Sequence, residues 1–219
     1  MPVSTYLDLF NRHFTAFVDE APPFDCPVGV STAWHVSLTR LRNESPAAER
    51  LLHVLARLAP EPVPTAVFTR LHDEGPAARS PVGDLQDLAG AVRAISRYGL
   101  ARVDHLAGTV EVHRLMSAVL REAMSEEEED RSLRLARSLA ALLPPGPSRT
   151  AHLLACRAAE SQDPVVRSAI LDQLVWSAAE GSTEDEHRLA EAAYDTWSRS
   201  DTATAAELTA VESHMRSTG

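Results

Sequence analysis

Apolar side chains recur every three or four positions along most of the chain, a spacing typical of amphipathic α-helices. Ser45-Pro46 and Ser125 precede two of these stretches and indicate where those helices begin. The pattern therefore predicts a mainly α protein. The predicted helices cover residues 4–19, 29–42, 46–58, a short stretch that ends near 72, 84–98, 113–124, 126–143, 150–161, 164–180, 184–199 and 202–217.

One segment departs from the helical period and predicts a β-hairpin. Residues 101–105 and 109–112 alternate apolar and polar side chains, and Gly108 stands in the turn between them. His113 follows the second strand directly and lies in the first turn of the next predicted helix. A hairpin placed after helices is typical of the wing of a winged-helix domain. We therefore expect a winged-helix domain with a small β-hairpin wing over residues 28–124.

The remainder of the chain predicts two further regions. Ser125 and Glu128 form a capping-box pattern at the start of a linking helix, and the proline-rich segment 144–149 is typical of a hinge, so residues 125–149 form the connection. Residues 150–219 contain consecutive helices joined by short turns, with roughly the period of a tetratricopeptide repeat (TPR). This pattern predicts a TPR-like α-helical array. The segment 59–64, APEPVP, is interpreted as a rigid connector.

Composition excludes several kinds of chemistry. All 21 basic residues are arginine, so the chain has neither a P-loop lysine nor a lysine able to form a Schiff base. The nine glycines are scattered, and the nine histidines show neither HExxH spacing nor a cluster with cysteines. We therefore predict that the chain is not an enzyme and contains no metal site.

Cysteine usage and hydropathy bear on the compartment. Cys26 and Cys156 lie far apart and suit reduced thiols better than a disulfide framework. The N-terminus lacks the pattern of a signal peptide, and the apolar runs are too short to span a bilayer. These features predict a cytoplasmic location and no membrane partner.

Charge argues against nucleic acid as a partner. The net charge is −10. In many winged-helix proteins the helix before the wing enters the major groove. Here neither that helix nor the wing has a surplus of cations. The side chains that balance one another are Asp84, Asp87, Arg93, Arg97, Arg102, Asp104 and Glu111. A winged-helix DNA-binding transcription regulator is therefore kept only as an alternative.

His113 is the candidate functional residue. An imidazole beside a hairpin can donate a hydrogen bond to a phosphate that a neighbouring domain presents. The alternative interpretation is structural: His113 would be a polar residue at a helix start, half-buried beneath the wing. With that interpretation the chain is a non-enzymatic helical scaffold.

The chain also resembles the winged-helix part of STAND (NB-ARC type) signal-transduction ATPases, above all the large actinobacterial members in which tetratricopeptide repeats follow. The resemblance is carried by the segments STAWHVSLTRLR, LLHVLARLAPEPVPTAVF and AVRAISRYGLARVDHLAGTVEVHRLMSAVLRE. It extends over residues 6–197 and is strongest over 28–122. Residues 1–27 then resemble the end of the helical domain that follows the ATPase core.

The resemblance implies a role for His113. The segment VHRL aligns with the Met-His-Asp motif of plant resistance proteins, with Val112 in place of Met and Arg114 in place of Asp. The histidine of that motif contacts the β-phosphate of ADP and holds the closed, inactive state. By this resemblance the chain is a regulatory and protein-interaction module in signal transduction. The chain would bind no cofactor alone. ADP or ATP would be held by an ATPase core supplied in cis or in trans. The C-terminal helices of the chain would bind a protein partner.

Overall fold

The polypeptide forms ten α-helices, one 3₁₀ turn and three short strands within residues 30–73 and 85–218, the parts of the chain that the computed structural model describes. The protein is therefore mainly helical, as the sequence predicts, with a small three-stranded antiparallel sheet. The predicted helix over 4–19, the region 1–27 that contains Cys26, and the predicted loop over 74–83 lie outside the described residues.

The part of the chain up to residue 111 contains both helices and strands, and the described residues after it are helical. The first group comprises α1 (Val30–Glu44), α2 (Pro46–Ala56), β1 (Val63–Pro64), α3 (Ala66–Asp73), α4 (Leu85–Arg97), β2 (Arg102–Asp104) and β3 (Thr109–Glu111). The second group comprises α5 (Arg114–Ala123), α6 (Glu126–Leu142), α7 (Pro147–Ala155), the 3₁₀ turn (Ala158–Glu160), α8 (Pro164–Glu180), α9 (Glu184–Trp197) and α10 (Ala205–Thr218).

The predicted connector over 59–64 contributes a strand. Val63 lies opposite Val110, and Pro64 lies opposite Thr109, which makes β1 an edge strand in the sheet order β1-β3-β2. Proline is tolerated there because an edge strand leaves one row of N–H groups unpaired. The hairpin itself agrees with the prediction, since β2 pairs with β3 in antiparallel fashion.

The proline-rich segment over 144–149 also differs from its interpretation as a hinge alone, because α7 begins inside it at Pro147. Proline suits the first turn of a helix, where its missing N–H would have had no partner within the helix. The capping box is confirmed: the Ser125 hydroxyl accepts from the Glu128 N–H, and the Glu128 carboxylate accepts from the Ser125 N–H at 2.9 Å.

Helix α2 forms the centre of the N-terminal half. Its apolar residues, among them Leu51, Leu52 and Val54, are almost completely buried, because α1, α4, α5 and α6 all pack against it. The buried side chains form one continuous cluster that runs from Leu41 in α1 to Val211 in α10. Among the described residues, no helix is both long and apolar enough to cross a membrane.

Helix α6 is joined to the N-terminal half by polar contacts at both of its ends. Near its start, Arg57 donates to Glu129 Oε1 at 3.0 Å and to Ser132 Oγ at 3.3 Å. At its end, the guanidinium of Arg70 donates to the carbonyl of Leu142 at 2.9 Å. The linking helix is thus packed along α2 and α3 rather than extended between two separate bodies.

A buried histidine joins α7 to the end of α2. His152 is completely buried, and its Nδ1 accepts a hydrogen bond from the Ala59 N–H at 3.1 Å. Because an imidazolium has no free lone pair, this bond requires the neutral ring. Burial lowers the pKa of His152, and the carboxylate of Glu61 opposes that effect only in part. The ring therefore stays neutral where an exposed histidine would begin to bind protons.

The C-terminal helices are ordered around Trp197. Its indole is completely buried and donates to the carbonyl of Ala159 at 3.0 Å. The guanidinium of Arg167 lies 5.5 Å from the centre of that ring and donates to the carbonyl of Thr202 at 2.9 Å. Arg167 thereby connects α8 with the chain between α9 and α10.

Replacing Arg57 with Met should lower the free energy of unfolding by about 1–3 kcal/mol, because Arg57 is 8% exposed and bonds to charged and polar groups that the variant leaves without this partner. Urea unfolding of the purified chain measures this difference. Arg131→Met removes an exposed ion pair with Glu127 and should leave stability unchanged within error. Equal effects of the two substitutions would contradict the importance of the α6 contact.

Acid should destabilise the fold through its buried histidines. Burial lowers the pKa of His53, His152 and His214 below the ordinary value of 6.5. Below pH 6.5 the unfolded chain binds protons that the folded chain does not, so the free energy of unfolding falls as the pH falls from 7.5 to 5.5. The limit is about 1.4 kcal/mol per pH unit for each histidine that remains neutral.

Urea unfolding at pH 7.5 and at pH 5.5 measures this slope. His152→Asn should reduce the slope, because an amide oxygen can still accept from Ala59 but cannot be protonated in this range. His105→Asn, on an exposed turn, is the matched control and should leave the slope unchanged. A slope that is the same in all three proteins would rule out His152 as a source of the acid sensitivity.

Candidate functional site

The turn of the hairpin is fixed by its own polar groups. Asp104 Oδ1 accepts hydrogen bonds from the N–H groups of Leu106 and Ala107, each at 2.9 Å. These two bonds stabilise the carboxylate and lower the pKa of Asp104. Gly108 has a φ of 62°, a left-handed conformation that glycine adopts without the penalty that a Cβ would impose. The turn is therefore a defined structure with exposed side chains.

The hairpin is also tied to the helical body through β1 and α3. The Thr65 N–H donates to the carbonyl of Gly108 at 2.8 Å, and the Thr65 hydroxyl donates to the same carbonyl at 3.0 Å. Val110, in the central strand, is completely buried and lies between Val63 and Val103 in the register. The strand that precedes His113 is thus anchored on its inner face.

His113 lies at the N-cap of α5, one position before the first helical residue, Arg114. Its Nδ1 accepts a hydrogen bond from the Leu115 N–H at 3.3 Å, and its carbonyl accepts from the Ser117 N–H at 3.0 Å. The side chain is exposed, so the interpretation in which it is half-buried beneath the wing is not the arrangement found. Buried neighbours, Val112 before it and Met116 after it, hold the backbone in place.

The hydrogen bond at Nδ1 fixes which nitrogen of the neutral ring carries the proton. Because Nδ1 accepts from Leu115, the proton of the neutral imidazole resides on Nε2. The exposed end of the ring is then a hydrogen-bond donor. His113 can therefore bond to the oxygen of an external group while it caps its own helix.

The surroundings of His113 favour an anion as that external group. The N-terminal end of α5 carries partial positive charge, and no acidic residue occurs in the first turn of this helix. Arg114 is exposed beside His113. Arg102, also exposed, lies on β2 opposite Glu111 in the register, so its charge is offset locally.

The other side chains considered from the sequence do not join His113. His105 follows β2 as an exposed turn residue instead of closing the strand. Cys156 is completely buried, and desolvation raises the pKa of its thiol to about 12, so it remains protonated and is a poor nucleophile. Across residues 30–73 and 85–218, no group of three or more His, Cys, Asp or Glu side chains is arranged to hold a metal ion.

Two features of the molecule were not predicted from the sequence. The contacts of Arg57 and Arg70 with α6 join residues about seventy positions apart, and no local pattern indicates such pairs. The exposure of Val165 and Val175 on α8 could have been predicted, because apolar residues occur on every side of the helix over 164–180 and cannot all face the interior.

In comparisons with known proteins, no family model matches this chain, and neither a curated protein nor a solved structure matches it significantly.

Proposed function

We propose that this chain is the regulatory and protein-interaction module of a STAND-type nucleotide-switch protein. In this proposal His113 contacts the phosphate of ADP held by a separate ATPase core, and the C-terminal helices bind a protein partner. The chain itself performs no catalysis and acts in the cytoplasm. The single observation that carries the proposal is the geometry of His113, an exposed imidazole whose Nδ1 is used by its own helix and whose Nε2 is a donor.

The order of the elements supports a winged-helix interpretation of residues 28–124. Helix α2, strand β1, helices α3 and α4 and then the β2–β3 hairpin follow one another, and the strands are arranged β1-β3-β2. A winged-helix domain has a helix, a strand, two helices and a hairpin in this sequence, with the first strand beside the last. In the same interpretation residues 1–27 end a preceding helical domain, residues 125–149 link the domains, and residues 150–219 form the TPR-like region.

The position of His113 suits a contact with a ligand held by another domain. It lies two residues after the end of the central strand, so the position of its backbone is set by the buried Val110 and Val112. A neutral imidazole binds a phosphate oxygen through one N–H and carries no fixed charge, so the contact can be released when the domains separate. This property is what a reversible switch requires.

DNA binding is less well supported by the charges near the hairpin. Helix α4 would be the helix that enters the major groove, and its residue Arg97 donates to Glu44 at 2.5 Å and lies 5.1 Å from the centre of the Tyr98 ring. The Tyr98 hydroxyl also donates to Glu44, at 2.5 Å. One of the few cations of this helix is therefore already neutralised by a carboxylate within the chain.

The sensor role predicts faster loss of nucleotide when the donor is removed. In the protein that combines this chain with its ATPase core, His113→Asp should accelerate ADP dissociation by about 10- to 100-fold, since one hydrogen bond to a charged group contributes about 1.5–3 kcal/mol. Aspartate is a good N-cap residue, so α5 keeps its cap while the donor is replaced by an anion. Release of a fluorescent ADP analogue measures the rate.

His105→Asp is the matched control, because it places the same charge on the neighbouring exposed turn and should leave ADP release unchanged. An unchanged ADP dissociation rate in His113→Asp would contradict the proposal. If His113→Asp lowers thermal stability and has no effect on nucleotide, the scaffold alternative is favoured. A salt-dependent gel shift of short duplex DNA by the unmodified chain would favour the transcription regulator.

A further inference from the structure

Helix α8 presents apolar side chains to solvent. Val165 is 55% exposed and Val175 is 71% exposed, although the opposite side of the same helix is buried against its neighbours through Val166, Ile170 and Leu174. In an amphipathic helix the apolar side chains normally face the interior and polar ones face solvent. The outer side of α9 shows the usual arrangement instead. Its exposed residues include Glu184, Asp185, Arg188, Glu191 and Asp195.

Five of the exposed residues of α8 are spaced as in the seam of a coiled coil, and Pro164, Ala178 and Glu180 are exposed beside them. The five follow one another at intervals of three, four, three and four positions, which keeps them on one side of the helix. We name this surface the α8 face. It consists of Val165, Ser168, Asp172, Val175 and Ala179. Such spacing fits a second helix that packs along α8, whereas an extended peptide would not follow it.

Grooves beside α8 provide room for the side chains of such a helix. One groove, of about 360 Å³, lies beside its N-terminal half and is bordered by Ala141 and Arg149. The other, of about 260 Å³, lies beside its C-terminal half and is bordered by Ala210 and Ser213 of α10. The small side chains of Ala141, Ala210 and Ser213 at these borders allow a neighbouring helix to approach closely.

The charge of the α8 face indicates the charge of its partner. Asp172 and Glu180 are exposed, whereas Arg167, the single cation of α8, is 4% exposed and bonds to Thr202. Arg149 borders the same groove as Asp172 but is also 4% exposed, and its guanidinium donates to the Ala141 carbonyl at 3.1 Å. The Asp172 carboxylate acts electrostatically on the buried Arg149 guanidinium, so the charge exposed at the centre of the seam is a carboxylate that Arg149 offsets in part.

We infer that the α8 face binds one amphipathic helix of a protein partner, whose apolar seam covers Val165 and Val175 and whose arginine or lysine meets Asp172. This inference rests on the proposed partner-binding role of the C-terminal helices and is independent of His113. A second copy of this chain is a poor occupant. A symmetric pair formed through the same face would bring Asp172 towards Asp172 of the other copy, and like charges in contact oppose association.

The probe for this site is a synthetic peptide of about three heptads, with leucine at the seam positions and arginine at the central one. Its binding to the full chain is measured by fluorescence anisotropy. A second peptide carries glutamate in place of that arginine. We expect the arginine peptide to bind and Val175→Glu to weaken it by about 10-fold or more. Val36→Glu is the matched control on α1, where the valine is 49% exposed, and should bind as the unmodified chain does.

A charge exchange gives the sharper test. The Asp172→Arg variant should bind the arginine peptide poorly and the glutamate peptide well. General attraction of a cationic peptide to an acidic protein cannot produce this reversal of preference. Equal binding of both peptides by the unmodified chain, or unchanged binding in Val175→Glu, would overturn the inference. A dimer in sedimentation that Val175→Glu dissociates would also overturn it, in favour of a second copy. The ADP release assay on His113 is separate, so failure here leaves that result standing.

Discussion

Helix α6 is held at its beginning by Arg57 and at its end by Arg70, and both arginines come from the N-terminal half of the chain. A helix fixed at two points, at Glu129 and at Leu142, can neither rotate nor swing without breaking contacts at one end. The hydrogen bond from Ala59 to the buried His152 extends this connection to α7. The C-terminal helices then build on α6 and α7, through Thr150 bonded to Glu186 at 2.8 Å and through Trp197 bonded to Ala159.

This constraint connects the two proposed sites. His113 is the N-cap of α5, and Met124 is its C-cap, whose sulfur accepts from the guanidinium of Arg57 at 3.4 Å. Arg121, also on α5, donates to the Ala56 carbonyl at the end of α2 at 2.5 Å. Helix α5 is thereby joined to α6 through Arg57, and α6 in turn packs against α8. In the proposal, nucleotide contact at His113 and partner binding at the α8 face would therefore act on one packed structure.

Local signals made much of this architecture predictable. Most helices of the described residues lie close to their predicted bounds, the capping box at Ser125 is formed as its sequence pattern indicates, and Gly108 occupies the turn of the hairpin. The helix predicted over 150–161 is instead α7 over Pro147–Ala155, and a separate 3₁₀ turn follows it because Arg157 adopts a left-handed conformation with a φ of 54°. Strand β1 was not predicted, because Val63 and Pro64 become a strand only through pairing with β3, which lies more than forty residues further along the chain. A two-residue strand containing proline has no period of its own to detect.

The sequence singles out His113 as a candidate, which stays a prediction, and does not give the geometry around it. The hairpin and the following helix indicate His113, but the bond that places the proton on Nε2 depends on the ring orientation at the N-cap, which spacing does not specify. The contacts of Arg57, Arg70 and His152 have no sequence signature, because arginine at a helix end usually faces solvent. Their partners become neighbours only after the chain has folded.

Hydrogen exchange of the native chain in increasing urea, followed by mass spectrometry, tests the central claim that α6 joins both halves into one cooperative structure. We expect the amides of α6 and of α8 to α10 to lose protection at the same urea concentration as those of α2. Loss of protection in α8 to α10 at a clearly lower concentration, with α2 to α5 still protected, would contradict it. The halves would then unfold independently, and the contacts of Arg57, Arg70 and His152 would not couple them.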